Sequence, residues 1–148
     1  MKIALACDHA GFPLKPVIED TLKALGHEII DCGTDSPQPV DYPDIAEKAC
    51  RMVQSYQADR AILICGSGVG AAITANKIKG VYACVCHDAY SAAQGVEHDN
   101  MNALCLGARI IGIEIAKACT TAFLAAQFST EERHRRRVGK IQHIEQEG

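Results

Sequence analysis

Five short apolar runs recur along the chain, at residues 2–7, 27–32, 61–65, 81–86 and 103–106, and each is followed by a segment of helical periodicity. Unbroken apolar stretches such as Ile62-Leu63-Ile64 suit parallel strands that are covered on both faces. In between, Leu14, Val17, Ile18, Leu22 and Leu25 recur at helical spacing, as do Ile45, Ala46, Ala49, Cys50 and Val53. Gly26 stops the first of these helices, Pro13 suits its first turn, and Asp88 is placed to cap the helix of residues 88–97. Ser129 or Thr130 caps a final helix, basic at its start, over residues 131–146. Strand-then-helix five times over predicts an α/β fold: a three-layer α/β/α sandwich on a five-stranded parallel sheet. Right-handed crossovers favour the strand order 2-1-3-4-5, with the extra C-terminal helix outside it.

A chain of 148 residues with no linker, repeat or low-complexity stretch reads as a single domain over residues 1–148. A net charge of −3 and a pI near 6.0 argue against bulk binding to nucleic acid or to an anionic membrane. No apolar run approaches the ~18 residues of a membrane span. Met1-Lys2 enters an apolar run without the features of a secretory leader. The 8 cysteines are scattered and lack any C-x-x-C pair, so they read as reduced thiols of a cytoplasmic protein.

Ligands of open parallel sheets bind beyond the carboxyl ends of the strands. Those ends carry Asp8-His9, Asp31-Cys32-Gly33-Thr34, Cys65 with its glycine loop, His87-Asp88 and Gly107-Ala108-Arg109, while residues 97–102 add His98, Asp99 and Asn100. Caps and turns account for Gly33 and Asp88, but less well for Asp8-His9, Cys65 and His98 together. In the loop Gly66-Ser67-Gly68-Val69-Gly70, three glycines let the backbone approach a ligand and turn its N–H groups inward, with a helix N-terminus behind. Such a loop binds a phosphate or an oxyanion; the plainer alternative is a tight turn with no ligand. Gly66, Gly68 and Ala71 also match G-x-G-x-x-A, with Asp88 about 20 residues on, which is a dinucleotide-binding pattern. That fingerprint usually follows the first strand, whereas here it follows the third. Cys65, between a strand end and a helix start, is at a position that exposes a thiol and favours its thiolate, the alternative being an inert buried cysteine. Arg133 and Arg137, four apart on one helix face, suit a phosphate dianion, or else form a solvated face paired with Glu131 and Glu132.

Cys-Asp-His-Ala-Gly (7–11), Asp-Tyr-Pro (41–43), Ile-Cys-Gly-Ser-Gly-Val-Gly (64–70), Ala-Asn-Lys (75–77), Leu-Gly-Ala-Arg (106–109) and Arg-His-x-x-Arg (133–137) occur in this order. With this ordered set the chain resembles the type B ribose-5-phosphate isomerases, in the family that also holds galactose-6-phosphate isomerase subunits. The resemblance runs over nearly the whole length. It implies interconversion of an aldose phosphate and a ketose phosphate, without metal or organic cofactor. It also implies homodimers, or dimers of dimers, with active sites shared between subunits. Cys65 would move the proton between C1 and C2, and Gly66, Ser67, Gly68, Val69 and Gly70 would hold the enediolate oxygens, Ser67 counting among the catalytic side chains. His98 would act as the ring-opening acid, with Asp8 and Tyr42 near the sugar hydroxyls. His9 and Arg109 would hold the phosphate, joined by Arg133 and Arg137 from the partner.

Enolisation needs a base on one face of the sugar and donors aimed at the oxyanion, so the chemistry agrees with the residues at the strand ends. Two positions bear on the transfer. One branch of the family replaces the cysteine by a glutamate just after the last loop glycine, but Ala71 stands there, so Cys65 has no substitute. Asp99 follows His98 where the family usually has Asn, and a carboxylate touching a substrate hydroxyl would change which sugar is preferred. The expected substrate pair is D-ribose 5-phosphate and D-ribulose 5-phosphate, in the non-oxidative pentose phosphate branch. A six-carbon or four-carbon sugar phosphate is the alternative, and a nucleotide-binding module is a more distant one. A metal site of strand-end cysteines with His9 or His98 lacks the local ligand pairs typical of zinc.

Overall fold

The computed structural model describes residues 1–148. In chain order its elements are β1 (Lys2–Cys7), a 3-10 turn (Phe12–Leu14) leading into α1 (Lys15–Ala24), β2 (Glu28–Asp31), α2 (Tyr42–Gln54), β3 (Arg60–Cys65), α3 (Val69–Ala75), β4 (Ala83–Val85), α4 (Ala89–Asp99), β5 (Ala103–Gly107), α5 (Ile113–Ala125) and α6 (Glu132–Glu147). Asp88 caps α4 as expected, accepting from the Ser91 N–H at 2.7 Å. The N-cap position of α6 is Glu131 rather than Ser129 or Thr130; Ser129 Oγ accepts from the Glu131 N–H at 3.0 Å, one step outside the helix.

All five strands pair in parallel, in the order β2-β1-β3-β5-β4. The expected α/β sandwich is present, but the order 2-1-3-4-5 is corrected: the last two strands exchange places. Burial explains the exchange. Every residue of β5 is buried, so it belongs inside the sheet, whereas β4 has three residues, with Cys84 exposed and Ala83 and Val85 only half-buried. A short, partly wet strand is suited to an edge. The consequence reaches the site. Because β3 pairs with β5 from Ala61↔Ala103 to Cys65↔Gly107, the turn after β5 lies directly beside the turn after β3. There the Ala108 N–H donates to the Cys65 carbonyl at 2.8 Å and the Arg109 N–H to the Gly66 carbonyl at 3.0 Å.

The two faces of the sheet differ in side-chain size. Ile3, Leu5, Ile62, Ile64, Leu104 and Leu106 pack on the face shared with α1, α4 and α5, against Ile18, Leu22, Val96 and Phe123. The other face presents Ala4, Ala6, Ala61, Cys65, Ala103 and Cys105, with Leu63 the one large residue among them, beneath α2 and α3. The period-2 alternation of strand side chains produces this sorting. Small residues let α2 and α3 lie close to the sheet, and Cys65 belongs to that face.

Close backbone approach also fixes the turn after β1. A Cβ on Gly11 would stand 2.5 Å from the Ile64 carbonyl carbon and closer still to its oxygen, inside the central strand. We expect Gly11→Ala to cost about 1–3 kcal/mol of stability, as overpacking against fixed backbone does. A denaturant-unfolding midpoint equal to that of the unsubstituted protein would contradict this.

Candidate active site

The turns after β1 and β3 and the start of α2 converge on one open cleft of about 570 Å³. Asp8, His9 and Tyr42 line it, together with Cys65, Gly66, Ser67, Val69, Gly70 and Arg109. These residues are spread over a hundred positions of sequence, and the parallel register brings them together.

Asp8 is buried, and its Oδ1 accepts from the Gly11 N–H at 2.9 Å; its other oxygen has no bond within the protein. His9 Nδ1 accepts from the Val40 N–H at 3.2 Å. Arg109 makes no ion pair and lies against Gly66, where a Cβ would be 3.5 Å from its guanidinium. An unpaired guanidinium in a cleft is a ready partner for an anionic group.

Cys65 is 6% exposed, more buried than its strand-end position predicts, and the Gly68 N–H donates to its Sγ at 3.0 Å. That donor is placed to stabilise the sulfur when it carries negative charge. Gly68 itself does not line the cleft: it turns the chain at φ +82° and packs against Leu106 and Val85, so its role is to aim an N–H at sulfur. A residue with a Cβ would be strained in that left-handed conformation. At the start of α3 the Val69 N–H donates to Ser67 Oγ at 3.3 Å, while no side chain caps the helix from its N-cap position. The first-turn N–H of Gly70 has no intrahelical partner by helix geometry and borders the cleft. A Cβ on Gly70 would come within 2.6 Å of the Tyr42 ring, so this glycine lets Tyr42 lie against the loop.

The remaining expected residues form a second group on α4 and α6, outside this cleft. The His98 and His134 rings stack with centroids 4.0 Å apart, and His98 Nδ1 is 2.9 Å from Gln94 Nε2. Burial, with the neighbouring His98 and Arg133, pushes His134 below the usual histidine range. Arg133 pairs with Glu131 at 2.9 Å, whereas Arg137 forms no ion pair. Asp99 lines a separate cavity with Cys84, Cys86 and Met101. Within one chain, therefore, His98, Asp99, Arg133 and Arg137 do not meet Cys65.

The dinucleotide alternative loses its acidic residue, because Asp88 is engaged as the cap of α4. No three His, Cys, Asp or Glu side chains are grouped to hold a metal ion. One residue outside the cleft lining supports the turn after β5, and the sequence marks it only as part of a strand end. His87 Nε2 accepts from the Gly107 N–H at 2.9 Å. Strand β4 stops at Val85, so this imidazole supplies the acceptor that strand pairing would otherwise give to Gly107. Its signal in the sequence was its position just past an apolar run.

The model of the ribose/galactose isomerase family matches residues 3–141. Ribose-5-phosphate isomerase B of Escherichia coli is 45% identical, over 98% of this chain and 97% of its own. The structure of Clostridium thermocellum ribose-5-phosphate isomerase B superposes with a TM-score of 0.95 at 44% identity, covering 99% of both chains. That of Mycoplasma genitalium ribose-5-phosphate isomerase B, with bound ribulose 5-phosphate, has a TM-score of 0.92 at 38% identity, covering 99% of this chain and 97% of its own. The chain belongs to the ribose/galactose isomerase family.

Burial lowers the pKa of His87 below its ordinary value of 6.5. The unfolded chain therefore takes up this proton first as pH falls, and folded stability falls with it. Denaturant midpoints are expected to drop on acidification below about pH 6.5. His87→Gln keeps an acceptor but cannot titrate, so its profile should be flatter. Some slope should remain, because burial also lowers His27 and His134. A His87→Gln profile as steep as that of the unsubstituted protein would remove His87 from this account.

Proposed function

We propose that this protein is an aldose–ketose isomerase interconverting D-ribose 5-phosphate and D-ribulose 5-phosphate in the cytoplasm. The observation that carries the reading is Cys65 in the cleft, with the Gly68 N–H on its sulfur and the unpaired Arg109 in the same cleft. In the forward direction the Cys65 thiolate removes the proton from C2 of the open-chain aldose. The C–H electron pair becomes the C1–C2 double bond, and the C1 oxygen takes the negative charge as an enediolate. The proton then returns at C1, the hydroxyl proton passes from O2 to O1, and C2 becomes the ketone. Backbone N–H groups of the loop stabilise the enediolate oxygens, an effect worth ~3 kcal/mol per donor in related chemistry. His9 and Arg109 bind the phosphate, and this remote contact orients a small flexible sugar.

The residues on α4 and α6 belong, in this reading, to the site of a second copy. His98 there opens the sugar ring, Asp99 faces a sugar hydroxyl, and Arg133 and Arg137 complete the phosphate pocket. Their separation from Cys65 within one chain supports a shared site, as do the exposed Ile110 in the turn after β5 and Ile113 and Ile115 at the start of α5.

Cys65→Ala is expected to lower kcat about 10²- to 10⁴-fold. Retention of most of the isomerase activity would mean that Cys65 is not the base. Rates measured side by side on ribose 5-phosphate, erythrose 4-phosphate and allose 6-phosphate test the sugar, and a faster four- or six-carbon substrate would replace the five-carbon reading. For the shared site, Cys65→Ala chains are refolded with an equal amount of Arg133→Ala/Arg137→Ala chains. Half of the dimers would then be mixed, each with one intact site, so roughly a quarter of full activity should return. No recovery beyond the sum of the two parents would count against sites built across the interface.

A further inference from the structure

Lys15 opens α1 on the stripe it shares with Ile18 and Leu22, and it is 3% exposed. A buried ammonium is costly unless its donors are used. Here they are. Nζ donates to Asp31 Oδ1 at 2.8 Å, to Asp31 Oδ2 at 3.0 Å and to the Thr34 carbonyl at 2.9 Å, with Asp35 Oδ1 at 3.6 Å. Burial works against both charges of the pair, but their mutual hydrogen bonds outweigh it, so Lys15 is raised and Asp31 lowered relative to their usual pKa values.

The groups bound by Lys15 all belong to the end of β2 and the segment after it. Asp31 Oδ1 also accepts from the Gly33 N–H at 2.9 Å. Residues 33–34 are joined to the end of β1, where the Cys7 N–H donates to the Gly33 carbonyl at 2.7 Å and the Thr34 N–H to the Cys7 carbonyl at 2.8 Å. The next two residues along β1 are Asp8 and His9. At its far end the 33–41 loop runs into α2, whose first residue, Tyr42, borders the cleft. Just before that helix, the Val40 N–H donates to His9 Nδ1. A ring nitrogen that accepts a hydrogen bond carries no proton, so the proton of neutral His9 is on Nε2.

We propose that Lys15 is a positioning residue of the candidate site: through Asp31 and the Thr34 carbonyl it clamps the 33–41 loop, so that Val40 holds His9 as the Nε2–H tautomer, a donor for the anionic end of the substrate. This rests on the isomerase reading for the identity of the substrate, but not for the clamp itself. An aliphatic side chain at position 15 would fill similar space and leave Asp31 and the Thr34 carbonyl without their donor. The loop would then lose its fixed distance from β1, and His9 would sample both tautomers.

The test compares the unsubstituted protein with Lys15→Met and Asp31→Asn. Long-range ¹H–¹⁵N spectra of the histidine rings, recorded above the histidine titration range with His9→Asn for assignment, report the tautomer without any substrate. A single Nε2–H form is expected before substitution and a mixture of tautomers in both variants. In steady-state assays on ribose 5-phosphate, run well below the Tm of each variant, KM should rise about tenfold in Lys15→Met while kcat changes less than about threefold, because Cys65 and its loop are untouched. Asp31 is partly exposed, so Asp31→Asn carries both readouts if Lys15→Met does not fold. A folded variant with an unchanged His9 tautomer and unchanged KM would overturn the proposal, as would a loss in kcat alone. If the unsubstituted protein turns over no sugar phosphate, the isomerase reading fails, and the ring spectra still decide the clamp.

Discussion

The pairing of β3 with β5 is the constraint on which the rest of the cleft depends. It places Gly107 opposite Cys65, and the two backbone bonds that follow tie Ala108 to Cys65 and Arg109 to Gly66. An arginine from one strand end and a thiol from another thus share a cleft through main-chain geometry. The glycine loop can then turn sharply, because Leu106 and Val85 support Gly68 from below. A shift of register by one residue would send Cys65 to the opposite face of the sheet, among the large side chains against α1 and α5.

Side-chain size acts together with that register. The face carrying Cys65 is built mostly from alanines and cysteines, which contribute little bulk. The other face carries the large aliphatic residues and with them most of the apolar area. Stability and site are in this way partly assigned to different faces. The close approach of α2 continues at its first turn, where Tyr42 lies against Gly70 with no room for a Cβ between them. Burial raises Cys50 to about 12 and pushes Cys105 well above its ordinary value, which fits cysteines used as small apolar side chains.

Much of the fold was legible because buried parallel strands leave unbroken apolar runs, and amphipathic helices leave a period near 3.6. Strand order was not, because the runs at 81–86 and 103–106 look equally apolar in sequence. What separates them is how much of each the neighbouring helices cover, a tertiary property. Asp8, His9, Cys65 and Arg109 were legible as groups just past apolar runs, Gly66, Ser67, Val69 and Gly70 as a glycine loop, and Tyr42 only through the family resemblance; all nine line one cleft. Gly68 was legible as part of the loop, but not as the donor to sulfur. Lys15 could have been found: a lone cation on the stripe of Ile18 and Leu22 is out of place unless it is paired. Its partner Asp31 was visible as a strand end, yet nothing in one sequence says which end faces which helix. The grouping of His98 with His134 on α4 and α6, away from Cys65, follows from how two helices pack, and spacing alone does not encode it.

The character of α6 bears on how the two groups of residues would work together. It is the most polar helix of the chain and buries only His134 and Val138 against the rest of the protein. A helix so weakly covered contributes little to its own chain's core, while it carries Arg133 and Arg137. Its buried histidine stacks on His98, and two imidazoles 4.0 Å apart repel one another when both are protonated. Burial disfavours charge on His134. The stack fixes the ring of His98 against a neighbour on which charge is disfavoured. Rigid docking of α6 on α4 would thus present a histidine and two guanidiniums as one unit to a neighbouring molecule. In the proposed shared site, that unit and the Cys65 cleft are each incomplete alone, and catalysis becomes a property of the assembled pair.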